Sequence, residues 1–391
     1  MRNPSAHWDI FCSVIDNFGD IGVAWRLARQ LATEYTISVR LWVDNLAAFH
    51  HIYPEVNVSA ATQFLYGVEI RQWATPLPAI EPGCVVIEAL ACHLPSSFIQ
   101  AMAEKSPPPV WINLEYLSAE NWVADVHGLP SPHPRLPLTQ YFFMPGYIAE
   151  TGGLTREAGL YRTRDDFQRN SDAQSRFWAS LGLPEIDERR LRRCLRISLF
   201  SYESAALASL LTACSQGDRP IDLVVPWGKA VLQIAAWFAA ANVRAGDTLR
   251  RGNVQVHVLP MLSQDDYDRL LWACDCNFVR GEDSFVRAQF AARPLIWQAY
   301  RQEEGAHMNR LDAFLDRYCA DLPPAMDHLV REMWQAWNRE EAIGALWPAW
   351  IEALPLLSDH ARDWATQLAE QPDLASNLVK FINKLLKYRA F

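Results

Sequence analysis

No stretch of this chain carries the roughly 18–20 consecutive apolar residues that a membrane-spanning helix requires, so no membrane span is expected. The opening residues MRNPSAHWDIFCSV lack the long apolar core and small-residue cleavage site of a signal peptide. Neither C-x-x-C nor H-E-x-x-H occurs, and His50-His51 and the remaining histidines show no ligand spacing. Structural zinc and zinc-hydrolase chemistry therefore have no signature here. Gly19-Asp20-Ile21-Gly22 is not G-x-G-x-x-G, and only Asp44 offers a weak ribose-reading acid, so a nicotinamide cofactor is not expected. Positive charge is short as well: 36 Lys and Arg against 45 Asp and Glu give a net charge of −9 and a pI near 5.6. That balance argues against a nucleic-acid backbone binder. The eight cysteines are scattered, with a single residue between Cys274 and Cys276. Free thiols in a reducing, cytoplasmic compartment are the expectation.

What is present is half hydrophobic over 391 residues, enough for two or three domain cores. Strands are expected at Trp8–Ile15, Ile37–Val43, Val68–Trp73, Val85–Ala89 and Val110–Leu114, with helices after Asp20, at Leu46–Ile52 and near Ser96–Glu104. In the first helix Val23, Leu27 and Leu31 share one face, with Arg26, Arg29 and Gln30 elsewhere. Residues 124–139, with four prolines, read as an extended loop, and residues 151–176 as a charged irregular stretch loosened by Gly152-Gly153. After the linker candidate LGLPEIDERR a second series begins. Strands at Cys194–Phe200, Ile221–Val225 and Val254–Leu259 alternate with helices at Ser204–Thr212, Gly228–Ala241 and Gln264–Cys274, and helices dominate from Glu303 onward. Such alternation implies α/β domains with parallel, doubly wound sheets. The last segment places Leu378, Phe381, Ile382, Leu385 and Leu386 opposite Lys380, Lys384 and Lys387, an amphipathic helix expected to pack against a domain.

Two turns concentrate polar chemistry. Cys274–Ala299 reads as strand, turn, helix and strand, with Arg280-Gly281-Glu282-Asp283 in the turn and Ser284 able to cap the helix. Ligands of open α/β sheets bind at the carboxyl ends of strands. Arg280 with the helix-start N–H groups would receive a diphosphate there. Asp16-Asn17-Phe18-Gly19-Asp20 follows the first strand in the same way. Its two carboxylates could face a cleft between the domains, or serve as an Asx-turn and a helix N-cap; spacing alone favours neither. Phe200-Ser201-Tyr202 could stack on a base or pack a core, and Gln264 could read a pyrimidine edge or cap its helix. Glu115 and Tyr116 sit at a strand end, lining or covering the cleft.

IFCSVIDNFGDIGVAWRLARQL, NLEYLSAE and VRGEDSFVRAQ together closely resemble the bacterial enzymes that rhamnosylate one arginine of translation elongation factor P, and the resemblance runs through nearly the whole chain. It implies a GT-B fold of two Rossmann-like domains: residues 1–187 binding the protein acceptor, residues 188–359 binding dTDP-β-L-rhamnose, and a C-terminal helix over 360–391 packing back on the first. It also implies inversion at the anomeric centre without metal or cofactor, and no membrane or nucleic-acid partner. Carried over, the catalytic carboxylates are Asp16, Asp20 and Glu282. The donor-site residues are Phe200, Tyr202, Gln264, Tyr267, Arg280, Asp283, Ser284, Tyr300 and Gly19. One donor-site aromatic of the family is Met261 here, whose thioether still offers polarizable contact to a base. The competing readings are a glycosyltransferase for a small molecule or glycan, a nucleotide-sugar epimerase, and a non-catalytic sugar-nucleotide sensor.

Overall fold

The computed structural model describes residues 7–15, 18–73, 77, 79–183, 194–302 and 305–388. The chain divides into two compact units, Met1–Ala158 with Glu370–Phe391, and Gly159–Ala369.

In the first unit the elements run β1 (Trp8–Cys12), α1 (Gly19–Glu34), β2 (Val39–Val43), α2 (Leu46–Ile52), β3 (Thr62–Leu65), β4 (Val68–Gln72), β5 (Val85–Ala89), α3 (Ser96–Glu104), β6 (Val110–Leu114), α4 (Trp122–Val126), β7 (Pro130–Pro132) and β8 (Thr139–Phe143). They form one sheet in the order β3-β4-β2-β1-β5-β6-β8-β7, parallel except at its edge strands β3 and β7. β1, β2 and β5 are buried along their whole length, as expected of central strands covered on both faces. Phe11, Trp42, Val86, Phe98 and Trp111 pack one face. Within this apolar setting Asp9 accepts from Arg40 Nε at 2.5 Å and Nη2 at 2.9 Å, from Trp42 Nε1 at 3.0 Å and from the Gly83 N–H at 2.8 Å. Burial alone would raise its pKa, but His7 and Arg40 outweigh burial and hold it below the ordinary value. Glu88 is the opposite case. It accepts from Leu94 N–H at 2.8 Å, Trp111 Nε1 at 3.2 Å and Gln140 Nε2, yet burial dominates and its pKa is raised.

The second unit carries α5 (Leu160–Arg169), α6 (Ser171–Ser180), β9 (Leu195–Leu199), α7 (Leu207–Gln216), β10 (Ile221–Pro226), α8 (Lys229–Phe238), β11 (Thr248–Arg251), β12 (Val254–Leu259), α9 (Gln264–Ala273), β13 (Cys276–Arg280), α10 (Asp283–Phe290), β14 (Leu295–Gln298), α11 (Ala306–Tyr318), α12 (Pro324–Asn338) and α13 (Trp347–Glu370). Its sheet is ordered β11-β12-β10-β9-β13-β14, again parallel apart from an antiparallel edge. Phe285, Trp297, Phe314, Tyr318, Trp334 and Trp364 form an aromatic wedge beneath α10, with Phe285 stacked on Trp297 at 4.0 Å. The chain then returns as α14 (Leu374–Tyr388) to the first unit, where Phe381 meets Tyr141, Phe143 and His127.

Several expectations change. The boundary expected at 187/188, like part of the linker candidate, lies outside the described residues. The division falls instead between Ala158 and Gly159, because the stretch read as irregular forms α5 and α6, and Phe177 and Trp178 pack with Val224, Leu259 and Leu270 of the second unit. Of α5 only Leu160 is buried, so its charged sequence showed no apolar stripe. The return to the first unit begins at Glu370 rather than 360. Residues 124–139 are not all loop, since α4 extends to Val126 and β7 pairs with β8 as an edge strand, where proline is tolerated. Gly152 and Gly153 mark close approach, not looseness. A Cβ on Gly152 would lie 2.6 Å from the Phe143 ring, and one on Gly153, where φ is +79°, 2.5 Å from the Pro372 carbonyl oxygen. Arg26 and Gln30, placed off the apolar face of α1 by spacing, are buried. Arg26 Nη1 lies 3.4 Å from Glu157 Oε1, and Gln30 Nε2 donates to the Arg156 carbonyl at 2.8 Å and lies 3.1 Å from Asp373 Oδ1. The returning chain covers that face. Among the described residues no helix is long and apolar enough to cross a membrane.

Candidate active site

In the first unit the segment after β1 is held by two carboxylates. The Val14 N–H donates to Asp44 Oδ1 at 3.0 Å, and the Ile15 N–H to Asp20 Oδ2 at 2.7 Å. Asp20 is the second residue of α1, whose N-cap position is Phe18 with no side-chain capping bond. The N-cap role open to Asp20 in the sequence is thus not the one it takes. Its carboxylate turns back to the β1 loop, and its Oδ1 lies 3.1 Å from the Tyr116 hydroxyl. That hydroxyl is also 3.2 Å from the Leu90 carbonyl oxygen. Leu90 and Ala91, just past β5, both hold φ at +59°, a left-handed backbone costing about 1–3 kcal/mol at each non-glycine residue. Asp20 is 1% exposed. Beside it burial, with Asp20's charge adding, pushes the Cys12 thiol well above its ordinary range, so this cysteine stays neutral. Glu115 accepts from Asn113 Nδ2 at 2.7 Å. Asp16 lies outside the described residues.

In the second unit β13 delivers Arg280 to its carboxyl end, and Gly281 turns the chain at φ +62°. The Arg280 guanidinium is sandwiched between aromatics, 4.5 Å from the Phe200 ring centroid and 4.4 Å from that of Tyr202. It is 7% exposed, and its Nη1 has no hydrogen-bond acceptor among the described residues. Phe200 and Tyr202, read as possible base platforms, here face the arginine. Phe200 also meets Tyr267 edge-on at 5.5 Å, and Tyr202 meets the half-exposed Tyr300 at 5.7 Å. The Tyr202 N–H donates to Gln298 Oε1 at 2.8 Å. Burial drives the Tyr267 phenol far above the ordinary tyrosine range, so it remains protonated.

The capping expected of Ser284 is not found, because α10 has its N-cap at Glu282 and no side-chain cap. The Ser284 hydroxyl instead donates to the Arg280 carbonyl and accepts from the Arg280 N–H at 3.1 Å. It ties the turn to the strand it leaves. Gln264, first residue of α9, donates through Nε2 to Asp283 Oδ2 at 3.0 Å, while Ser263 does the capping there. Four residues on, Asp268 grips Arg287 in a buried bidentate pair, Nε–Oδ1 3.0 Å and Nη2–Oδ2 2.6 Å, fixing α9 against α10. Met261 is half-buried.

The structure therefore gathers Phe200, Tyr202, Gln264, Tyr267, Arg280, Asp283, Ser284 and Tyr300 around one strand end, with Glu282 in the same turn. Sequence reasoning missed Leu90, Gln298 and the Asp268–Arg287 pair. Leu90 carries no signal, since left-handed backbone is usually marked by glycine or asparagine. The ion pair spans nineteen residues of chain, beyond any local spacing rule. Among the described residues no group of three or more His, Cys, Asp or Glu is placed to hold a metal.

The sequence profile of the Elongation-Factor P (EF-P) rhamnosyltransferase EarP matches residues 8–383. The chain belongs to the EarP family. It is 47% identical over 381 residues to a protein-arginine rhamnosyltransferase of Pseudomonas putida, covering 97% of this chain and 100% of that protein. To its counterpart in Pseudomonas aeruginosa it is 48% identical over 376 residues, covering 96% and 98%. A solved structure, described as the basis for EarP-mediated arginine glycosylation of translation elongation factor EF-P, matches with a TM-score of 0.69 at 36% identity over 97% of this chain and 99% of that one. Two largely parallel α/β sheets in an EarP-family chain make this a GT-B glycosyltransferase.

Proposed function

We propose that this EarP-family protein transfers L-rhamnose from dTDP-β-L-rhamnose to one arginine of translation elongation factor P, in the cytoplasm, with inversion and without a metal ion. The observation that carries the reading is the near-full-length kinship to protein-arginine rhamnosyltransferases. The geometry of each unit supports a separate part of the chemistry.

In the second unit, Arg280 is a desolvated cation with one N–H edge left for an anion. As the bond from the anomeric carbon to the diphosphate oxygen breaks, its electron pair leaves with the diphosphate. Arg280 and the N–H groups at the start of α10 stabilise that charge. Asp283, held by Gln264, and the aromatic residues Tyr202 and Tyr300 supply the remaining donor contacts.

In the first unit, Asp20 acts on the acceptor. An arginine side chain and an ordinary aspartate differ by roughly 9–10 pKa units, so full proton transfer beforehand would cost about 12–13 kcal/mol. Asp20 therefore polarises and aims the guanidinium. It takes the proton late, as the nitrogen lone pair forms the bond to the anomeric carbon. Asp16 and Glu282 are assigned orienting roles. Co-expression with elongation factor P and intact-mass measurement tests the reading: one added deoxyhexose on a single arginine is expected, with a chelator leaving in vitro transfer unchanged. An unmodified acceptor in the presence of folded enzyme and donor refutes it.

A further inference from the structure

The Tyr116 hydroxyl has one hydrogen and two acceptors at nearly equal reach, Asp20 Oδ1 at 3.1 Å and the Leu90 carbonyl at 3.2 Å. The other Asp20 oxygen accepts the Ile15 N–H at 2.7 Å, which fixes the plane of the carboxylate. Leu90 offers its carbonyl from a left-handed backbone shared with Ala91, a conformation an ordinary leucine does not choose. Three elements thus converge on one phenol: β5 through Leu90, the segment after β6 through Tyr116, and α1 through Asp20.

We infer that Tyr116 is a positioning residue for Asp20, holding its carboxylate through both protonation states by redirecting one hydrogen. While Asp20 is charged, the phenol donates to Oδ1. When Oδ1 receives the acceptor's proton, the new O–H donates to the Tyr116 oxygen and the phenol hydrogen turns to the Leu90 carbonyl. No heavy atom moves, and no proton leaves the tyrosine. The arginine nitrogen loses one proton to Asp20 and gains the bond to carbon, so the step balances. A carboxylate with a permanent donor would be a poorer base, since such a bond favours its charged form; one with no donor would be loosely aimed. A donor with a second acceptor in reach keeps the aim and lessens the loss of basicity, because it can turn away once Oδ1 is protonated. Titratable groups near this turn, among the described residues, include Cys12 on β1, kept neutral by burial, Asp44 past β2, which holds the Val14 N–H, Glu115 next to Tyr116 in the chain, and His51 on α2 against Phe18.

The inference rests on Asp20 being the base, so its test carries an Asp20 arm. Single-turnover transfer to elongation factor P is followed against pH for the wild type and for Tyr116→Phe, Asp20→Asn and a 3-fluorotyrosine substitution at 116, with dTDP affinity and melting temperature on the same samples. Tyr116→Phe removes a donor to the charged form, so the acid limb of the rate profile should move up by about one pH unit, with the plateau rate down on the order of tenfold and dTDP affinity unchanged. The fluorinated phenol, a stronger donor of almost the same size, should move the limb down. Limbs that coincide with wild type in both variants overturn the role of Tyr116. Wild-type transfer by Asp20→Asn overturns the assignment of Asp20 itself. If Tyr116→Phe fails to fold, the fluorinated protein alone decides the matter.

Discussion

Replacing Arg280 by methionine should separate what this residue does for binding from what it does for the fold. Its guanidinium lies 4.5 Å and 4.4 Å from two aromatic centroids, is 7% exposed, and leaves Nη1 without an acceptor among the described residues. Removing it forfeits cation–π attraction of about 2 kcal/mol for a desolvated pair. Methionine restores roughly 0.3–1.5 kcal/mol through sulfur–aromatic contact, and the change relieves a buried donor whose unmet hydrogen bond costs about 1–3 kcal/mol. These contributions nearly cancel, so stability without ligand should stay within about 1 kcal/mol of wild type. Donor binding has no such compensation. A charge-assisted contact to phosphate contributes about 1.5–3 kcal/mol, and at about 1.4 kcal/mol per tenfold dTDP affinity should fall by roughly 10- to 150-fold. Arg280→Lys should fall between, because a point charge lacks the flat face that Phe200 and Tyr202 hold. Calorimetric titration with dTDP and urea melts of the free proteins give both numbers. A folded Arg280→Met protein with wild-type dTDP affinity would sink the argument, as would a loss of more than about 3 kcal/mol of ligand-free stability.

Asp20→Asn keeps the size of the side chain but removes the charge that receives the proton, so transfer should collapse by about 100-fold or more while dTDP affinity stays intact; normal single-turnover rates would remove Asp20 as base. Glu88 has its folded pKa raised by burial, so the stability linked to its protonated form is complete below the unfolded pKa and is lost as pH rises through the folded value. Glu88→Gln should flatten that fall, and urea midpoints from pH 4 to 8 that keep the wild-type slope would contradict it. Asp268→Ala strands Arg287 as a buried cation and should cost about 3–5 kcal/mol, whereas Asp268→Leu with Arg287→Met should recover most of it; a double variant as unstable as the single one would show that the charges themselves are needed.

Much of the fold was legible because central parallel strands are nearly continuous apolar runs: Trp8–Cys12, Val85–Ala89 and Ile221–Pro226 are all buried throughout. Helix α5 was not legible, since LYRTRDDFQR buries little beyond Leu160 and its Phe167 announces nothing until it meets Phe177 and Trp272. Edge strands β3 and β7 failed for the same reason, as half-exposed or proline-bearing pairs have no period to detect. In the candidate site, the positions of Arg280 at a strand end and of Asp20 at a helix start could be read from local pattern. Their partners could not. Tyr116 is 96 residues from Asp20 and Tyr202 is 78 from Arg280, and nothing local encodes a contact made across a sheet edge. The two capping roles failed because a hydroxyl or carboxylate at a helix start has a choice of backbone partners. Ser284 and Asp20 both turn toward the strand end rather than the helix.

The first unit contains the chain's beginning and its final helix, with all of Gly159–Ala369 between them. On the ribosome, β1 to β8 emerge early, but the surface carrying Gln30, His127, Tyr141 and Phe143 stays without Asp373 and Phe381 until the whole of Gly159–Ala369 has been made. The uninterrupted second unit can finish first, inverting the usual order in which domains mature along a nascent chain. A premature stop near residue 370 would then yield a product whose damage lies far away in sequence, in the unit made first.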